Sequence, residues 1–276
     1  MKKYLVIGNP IKHSLSPKLH NYWIKKNNLN AVYEKVELNK NDLKNLILKI
    51  KEKEISGINV TVPFKKEVIT YLDRLTLDAE ATQSVNTILL SSENKIVGHN
   101  TDISGFENAI KETKYNPLGK KILVLGSGGV VPSIIFALYK MKVSSVTLTN
   151  RTKSKAEYLQ NHYNDIVTEE KGKNKIKVVD WGEVPEFDMV INATSVGLNK
   201  SDNLDLDFSK NGKKKFFYDV IYNPKETNFL KTGNNLGSKT VNGKKMFIFQ
   251  AAEAFKIWHN IQPEINEEVN KLLDND

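Results

Sequence analysis

Small hydroxyl and amide side chains gather at the ends of strand-like segments in the first part of the chain, where an α/β fold places its ligands. Ser14 and Ser16 follow the segment 4–7, Asn59 and Thr61 lie in 57–62, and Asn86 and Thr87 lie in 85–90. Asn100, Thr101 and Asp102 follow 95–99, and Lys65 comes just after the third segment. Many short donors and acceptors suit a polyhydroxylated ligand, each fixing one hydroxyl. Each residue also has a plainer use. Ser16 before Pro17 makes a good helix N-cap, Asn59 and Asn86 can satisfy turn backbone, and Lys65 can be a solvated helix lysine.

A second set lies at 121–131. The apolar run 122–125 is followed by Gly126, Ser127, Gly128 and Gly129, then by a helix-periodic segment over 130–139. A buried strand, a turn stripped of side chains and a helix let a pyrophosphate rest against backbone N–H groups at the helix's positive end. In an NAD site an acidic residue at the end of the second strand binds the ribose 2′-OH. Here that strand ends at Thr149, and Asn150, Arg151, Thr152, Lys153 and Lys155 follow. A guanidinium takes a phosphate bidentately and lysine adds a point charge. The chain has two arginines, Arg74 and Arg151, and one of them stands where a 2′-phosphate would sit. NADP is therefore the expected cofactor.

The elements that must carry these groups follow from periodicity and turn chemistry. Strands are expected at 4–7, 31–38, 57–62, 85–90 and 95–99, with helices starting at Ser16 and near Asp42 and others over 65–72 and 102–113. From 121 onward strands (122–125, 145–149, 176–179, 189–192, 216–220, 239–241) alternate with helices (130–139, 152–162, 225–231, 247–258), and a last helix spans 263–273. The spacing predicts an N-terminal α/β domain with a mostly parallel sheet, then a Rossmann-type doubly wound domain, with the last helices free to return to the first. The helix break at 115–119, just before the glycine-bearing strand, puts the division in that region.

Composition narrows the classes. At 276 residues, 39% hydrophobic and 26% charged, the chain is an ordinary globular protein with room for two domains. It has no cysteine, which excludes disulfides and thiolate chemistry and fits a cytoplasmic protein. The N-terminal apolar run breaks at Gly8 and Pro10, too soon for a signal peptide, and no segment is apolar enough to span a membrane. The net charge of +9 comes from dispersed lysines, and the dense runs at 171–177 and 210–215 lack interleaved aromatics. They read as polar loops rather than a nucleic-acid face. The five histidines show no metal spacing, and no Gly-x-Ser-x-Gly elbow occurs.

In chain order, the motifs Ser-Leu-Ser-Pro (14–17), Asn-Val-Thr-Val-Pro-Phe-Lys (59–65), Val-Asn-Thr (85–87) and Gly-His-Asn-Thr-Asp (98–102) resemble those of the shikimate dehydrogenase family. So do Gly-Ser-Gly-Gly (126–129), Asn-Arg-Thr (150–152), Asn-Ala-Thr-Ser (192–195), Tyr-Asn-Pro (222–224) and Gln-Ala-Ala (250–252). The resemblance covers almost the whole chain. It implies reversible, NADP-dependent reduction of 3-dehydroshikimate to shikimate on the way to chorismate and aromatic amino acids, by a monomer or homodimer. It also implies a substrate domain at 1–103 and 247–276 and a cofactor domain at 104–246.

On that resemblance Ser14 and Ser16 hold the substrate carboxylate, and Asn59, Thr61, Asn86, Asp102, Tyr222 and Gln250 surround the ring. Lys65 and Asp102 handle the hydroxyl proton as a pair, with the proton's microscopic position left open. Gly126, Ser127, Gly128, Gly129 and Val130 cradle the pyrophosphate, and Asn150, Arg151, Thr152 and Lys155 take the 2′-phosphate. Ala193, Thr194, Ser195, Ile221, Gly243 and Met246 line the rest of the cofactor site.

Departures from the family pattern are Val131 in the slot of the usual third small residue, Ser127 for alanine, Leu77, and Gln83-Ser84 before Val85. Val131 is expected to set its helix slightly further from the strand. Two alternatives stay open: a broader quinate/shikimate dehydrogenase, perhaps NAD-using, and a non-catalytic shikimate/NADP sensor on the same scaffold. Arg151 argues against NAD, the serine pair against quinate, and an intact Lys65 and Asp102 against a sensor.

Overall fold

A computed structural model describes residues 1–167 and 176–274 of the chain. Two units emerge, one from Met1–Gly105 with Ile248–Asp276, the other from Phe106–Phe247. The helix break at 115–119 therefore lies inside the second unit.

The first unit's elements are β1 (Lys2–Gly8), α1 (Ser16–Lys26), β2 (Ala31–Glu37), α2 (Leu43–Lys51), β3 (Gly57–Val60), β4 (Arg74–Leu75), α3 (Leu77–Thr82), β5 (Thr87–Leu90) and β6 (Ile96–His99). Helix α4 (Asp102–Glu112) carries the chain into the second unit. The strand order is β2-β1-β3-β5-β6-β4. β1 runs parallel to β2 and β3, and β4 parallel to β6, while β5 is antiparallel to both β3 and β6. Leu5, Ile7, Ile58 and Val60 on the sheet pack with Leu43, Ile47 and Ile50 of α2 in one core cluster. Those three helix positions recur at the spacing of a single helix face.

The second unit contains β7 (Lys121–Leu125), α5 (Val131–Lys140), β8 (Ser145–Thr149), α6 (Lys153–Val167), β9 (Ile176–Val179), β10 (Met189–Asn192), β11 (Phe216–Asp219), α7 (Asn228–Asn235) and β12 (Lys239–Val241). Its order β12-β11-β10-β7-β8-β9 is parallel throughout. Read from the other edge this is the doubly wound 3-2-1-4-5-6 arrangement, whose direction reverses beside β7, between β8 and β10. Helix α8 (Lys244–His259) leads back to the first unit, which α9 (Glu267–Leu272) closes.

The structure corrects several sequence expectations. The segment 65–72 is not an α-helix but turns followed by a 3-10 helix, Glu67–Tyr71, and β4 and α3 after it were not foreseen. Ser16 is not an N-cap; it lies inside α1, the cap position is Leu15, and the Ser16 N–H donates to Ser14 Oγ at 3.4 Å. Helix α7 starts at Asn228 because the Thr227 side chain accepts from Leu230 N–H, and α9 starts at Glu267 because the Asn266 side chain accepts from Val269 N–H. The lysine run at 171–177 lies outside the described residues up to 175, and its last two positions belong to β9.

Candidate active site

Lys65 lies in the turn after β3. Phe64, buried in the first unit's core, pins that turn, and Val85 N–H donates to the Lys65 carbonyl at 2.9 Å. Asp102 opens α4, where the helix dipole favours a negative charge. Its N–H and that of Ile103 donate to Asn100 Oδ1 at 3.0 and 3.4 Å. Asn100 Nδ2 in turn donates to Thr82 Oγ1 and the Ser84 carbonyl, each at 3.0 Å. Together these restraints set Lys65 Nζ 2.6 Å from Asp102 Oδ2, with the side chains 12% and 8% exposed. This is a short, charge-assisted bond largely shielded from bulk solvent.

A second polar network locks the neighbouring strand ends. Asn59 Nδ2 donates to the Asn86 carbonyl and to Thr87 Oγ1, each at 3.0 Å, and Asn59 Oδ1 accepts from the Tyr33 hydroxyl at 2.6 Å. Both amide hydrogens of Asn59 are thus spent on the protein, so only its carbonyl side has capacity left for a ligand. Asn86 Oδ1 accepts from Thr101 N–H at 2.8 Å, and Asn86 Nδ2 donates to Thr101 Oγ1 at 2.9 Å. Thr61 is placed by its N–H, which donates to the Ile7 carbonyl at 2.9 Å. Gly8 is small because a Cβ there would come within 2.6 Å of Thr61 Cγ2. Ser14, Ser16, Asn59, Thr61, Lys65, Asn86, Asp102 and half-buried Gln250 all belong to the first unit, whereas Tyr222 belongs to the second.

Tyr33, on β2, escaped the sequence reading because it looks like one more apolar strand residue. It is 2% exposed, and Asn21 of α1 clamps its backbone from both sides, accepting from Tyr33 N–H at 2.9 Å and donating to its carbonyl at 2.8 Å. His20 stacks on its ring at 4.2 Å with planes 4° apart. Burial pushes the Tyr33 phenol well above the usual range.

Among the described residues His20 has no partner for either ring nitrogen, and burial, with His259 nearby, holds its pKa down at about 3. A base whose folded pKa is depressed leaves the unfolded chain binding more protons between about pH 3 and 6.5, so its contribution to stability falls as pH falls through that window. Buried Asp219, treated below, acts in the opposite sense, so a variant comparison isolates the histidine. His20→Phe keeps the stacked ring and removes the titration. Chemical denaturation should find it level with the parent protein or slightly more stable at pH 7, and more stable by on the order of 3 kcal/mol at pH 4. A pH-independent difference would show that His20 does not stay neutral in the fold.

In the second unit, Gly126 follows β7 with φ +106° and its N–H donates to the Thr149 carbonyl at 2.8 Å. A Cβ at Gly126 would stand 3.0 Å from the Ala193 carbonyl oxygen, so the turn and the end of β10 meet at the reversal of strand order. Helix α5 has no side-chain cap at Val130; Val131 N–H donates to the Gly128 carbonyl at 3.0 Å and Pro132 carries no N–H, so the helix offers an anion the positive end of its dipole. Val131 is fully buried at the first position of α5 and fits there. After β8, Asn150 Nδ2 donates to the Thr152 carbonyl at 2.8 Å, shaping the turn that presents Arg151 to solvent. Lys153 pairs with Asp180 at 2.7 Å, while Arg151 and Lys155 are exposed and form no ion pair among the described residues. This donor set fits a dinucleotide with a further phosphate on its adenosine ribose.

The remaining lining is held from behind by Asp219, which the sequence reading passed over, together with Asn192. Asp219 is fully buried and accepts from Asn192 Nδ2 at 3.1 Å, Ile221 N–H at 3.0 Å and Thr227 Oγ1 at 2.6 Å. Asn192 Oδ1 accepts from Thr194 N–H and Oγ1 at 3.1 and 2.7 Å. One carboxylate therefore fixes 193–195 and Ile221 together, and burial pushes its pKa up to about 6 despite those donors. Gly243 N–H donates to the Ile221 carbonyl at 3.0 Å, and any Cβ at 243 would collide with the Val220 carbonyl. Tyr222 stacks on Phe247 at 4.6 Å, and Met246 is buried. Among the described residues no group of three metal-ligating side chains occurs, and no helix is long and apolar enough to cross a membrane.

Comparison with known proteins agrees along the whole chain. Residues 6–88 match the profile of the shikimate dehydrogenase substrate binding domain, and residues 109–228 that of shikimate / quinate 5-dehydrogenase. Shikimate dehydrogenase (NADP(+)) of Pelagibacter ubique is 52% identical over 273 residues, covering 99% of both chains. A crystal structure of a shikimate dehydrogenase in complex with NADP+ superposes with a TM-score of 0.91 at 33% identity, covering 99% of this chain and 95% of that one. The Thermus thermophilus enzyme in complex with NADP(H) and shikimate gives 0.85 at 28% identity, with 99% and 98% covered.

Proposed function

The chain belongs to the shikimate dehydrogenase family, and from that premise we propose how its residues perform the NADP-dependent interconversion of shikimate and 3-dehydroshikimate. The observation that carries the reading is the enclosed Lys65–Asp102 pair, 2.6 Å apart at the end of the first unit's sheet. NADP, when bound, accepts the hydride from the carbinol carbon of shikimate. Lys65 and Asp102 act on the oxygen of that carbon. The pair takes up the hydroxyl proton as the carbonyl forms and returns it in the reverse direction, and the short bond lets the two groups share it. Asn100 holds Asp102, and Phe64 with Val85 holds Lys65, so neither group has to be ordered when the substrate arrives.

Ser14 and Ser16 bind the carboxylate, and Thr61, Asn86, Gln250 and the free side of Asn59 Oδ1 meet ring hydroxyls. Tyr222 is assigned to the substrate as well, from its place in the Tyr-Asn-Pro motif. The turn at Gly126–Val130 and the uncapped start of α5 bind the pyrophosphate. Arg151, with Asn150, Thr152 and Lys155, binds the 2′-phosphate, and Ala193–Ser195, Ile221, Gly243 and Met246 bound the nicotinamide half. We read the enzyme as cytoplasmic, as suits a biosynthetic reaction drawing on NADP(H). Following NADPH absorbance with shikimate or quinate, each with NADP or NAD, tests the assignment. The expected result is highest kcat/KM for shikimate with NADP; quinate turned over equally well would move the chain to the broader dehydrogenase, and no turnover with any pair would refute the reading.

A further inference from the structure

We propose that Asp219 is a positioning residue for the nicotinamide half of NADP, acting through Asn192 and Ile221. The proposal rests on the assignment of Ala193–Ser195, Ile221 and Gly243 to that half. Those residues come from three separate stretches of the second unit, after β10, after β11 and just before α8. Hydrogen bonds lead from each stretch back to the one carboxylate. Asp219 Oδ1 accepts from Asn192 Nδ2 at 3.1 Å and from Ile221 N–H at 3.0 Å, and Oδ2 accepts from Thr227 Oγ1 at 2.6 Å. The Ile221 carbonyl in turn accepts from Gly243 N–H at 3.0 Å.

The carboxylate also decides which way the Asn192 side chain faces. An ionised carboxylate can only accept, so it takes the amide nitrogen of Asn192 and not the amide oxygen. The second hydrogen of Asn192 Nδ2 goes to the Val196 carbonyl at 3.0 Å. Asn192 Oδ1 is thereby turned towards Thr194, whose N–H and hydroxyl it receives at 3.1 and 2.7 Å, and Thr194 Oγ1 accepts from Val196 N–H at 3.0 Å. The whole Asn192 amide is spent on shaping 193–196, and its sense is set from Asp219.

Packing holds the same stretches together. A Cβ at Gly197, where φ is +120°, would stand 3.1 Å from Thr227 Cγ2 and 3.2 Å from Ile221 Cδ1, so the loop after β10 lies directly against the residues that Asp219 binds. Asp219, Asn192 and Thr227 are all buried, so bulk water does not reach the carboxylate to replace a lost partner. A residue that only filled this strand end would be better apolar, because an unneeded carboxylate in the core costs stability. Here its acceptors are matched, donor by donor, to the segments that bound the nicotinamide half.

The test is equilibrium titration of the full-length enzyme with NADP+ and, separately, with adenosine 2′,5′-bisphosphate, which has the adenosine and its 2′-phosphate but no nicotinamide. Thermal melts verify folding of each variant. Asp219→Ala is expected to weaken NADP+ binding about tenfold and bisphosphate binding by less than about twofold, a split that general loosening of the unit would not produce. Asp219→Asn should recover most of the loss, to within about threefold of the parent, because its amide oxygen can still take Asn192 Nδ2 and Ile221 N–H. Asn192→Ala cuts the link to Thr194 while leaving Ile221 bound, and should show the same split at about threefold. Unchanged NADP+ affinity in folded Asp219→Ala, equal weakening of both ligands, or Asp219→Asn no better than Asp219→Ala overturns the proposal. If Asp219→Ala does not fold, unchanged NADP+ affinity in Asn192→Ala overturns it. Ser195 is exposed, and Ser195→Trp should crowd the nicotinamide half and weaken NADP+ alone. If it leaves NADP+ binding unchanged, the assignment of these residues to the nicotinamide half fails, and this proposal with it.

Discussion

Lys65→Ala is expected to lower kcat by about 10²- to 10⁴-fold while the KM for shikimate changes by less than about threefold, which is the range for losing a positioned proton-transfer group. Binding should survive because the carboxylate and ring contacts are assigned elsewhere in the first unit. Catalysis should not, because the carbinol proton then faces only Asp102 or water. Rapid-mixing measurements of NADPH formation separate the chemical step from product release and place the loss. The substitution also strips the partner from a carboxylate only 8% exposed, so some loss of stability accompanies it. Lys65→Met with Asp102→Asn removes both charges, and should regain that stability without regaining turnover. Wild-type kcat in either folded variant would remove Lys65 from the proton path.

The division between what the sequence made legible and what it hid follows the physics of each feature. The doubly wound second unit was readable because its buried parallel strands are short apolar runs between helix-periodic segments. Its order around β7 then follows from the handedness of crossover connections. The turn at Gly126 was readable because only glycine tolerates φ +106° with the Ala193 carbonyl so close. Helix boundaries were less legible where a capping side chain just outside the helix set them, as Thr227 does for α7. The segment 65–82 was misread because its turns, 3-10 helix and short α3 carry too few turns for a period to show.

Among the candidate site residues, those on loops were singled out by type and position. Tyr33, His20 and Asp219 were not, since a buried aromatic, a buried histidine and a strand-end aspartate look the same in a sequence whether they fill space or hold a site. Asn59 was found for its type, but what it does depends on Tyr33, which only the folded chain brings to it.

Arg151→Ala should raise the KM for NADP about 10- to 100-fold and leave the KM for NAD almost unchanged, the effect of losing a bidentate charge-assisted contact. The local geometry makes this arginine the principal charge available. Lys153 is held by Asp180 at 2.7 Å, and of the other nearby cations only Lys155 is exposed and without an ion pair among the described residues. Thr149, which ends β8, is fully buried with its hydroxyl donating to the Asp180 carbonyl at 3.1 Å, and the residues that follow it, Asn150, Arg151 and Thr152, include no acidic side chain for a ribose 2′-OH. Because Arg151 is exposed, part of its contribution is screened, and the gap between parent and variant should narrow as salt rises. Asn150→Asp with Arg151→Ala goes further, placing an acceptor where NAD needs one and repelling the phosphate of NADP. That pair should shift the NAD to NADP ratio of kcat/KM toward NAD by more than the single change, because repulsion adds to lost attraction. If instead both cofactors weaken equally in Arg151→Ala, the guanidinium serves the shape of the turn and not the phosphate. The selectivity would then have to come from Lys155.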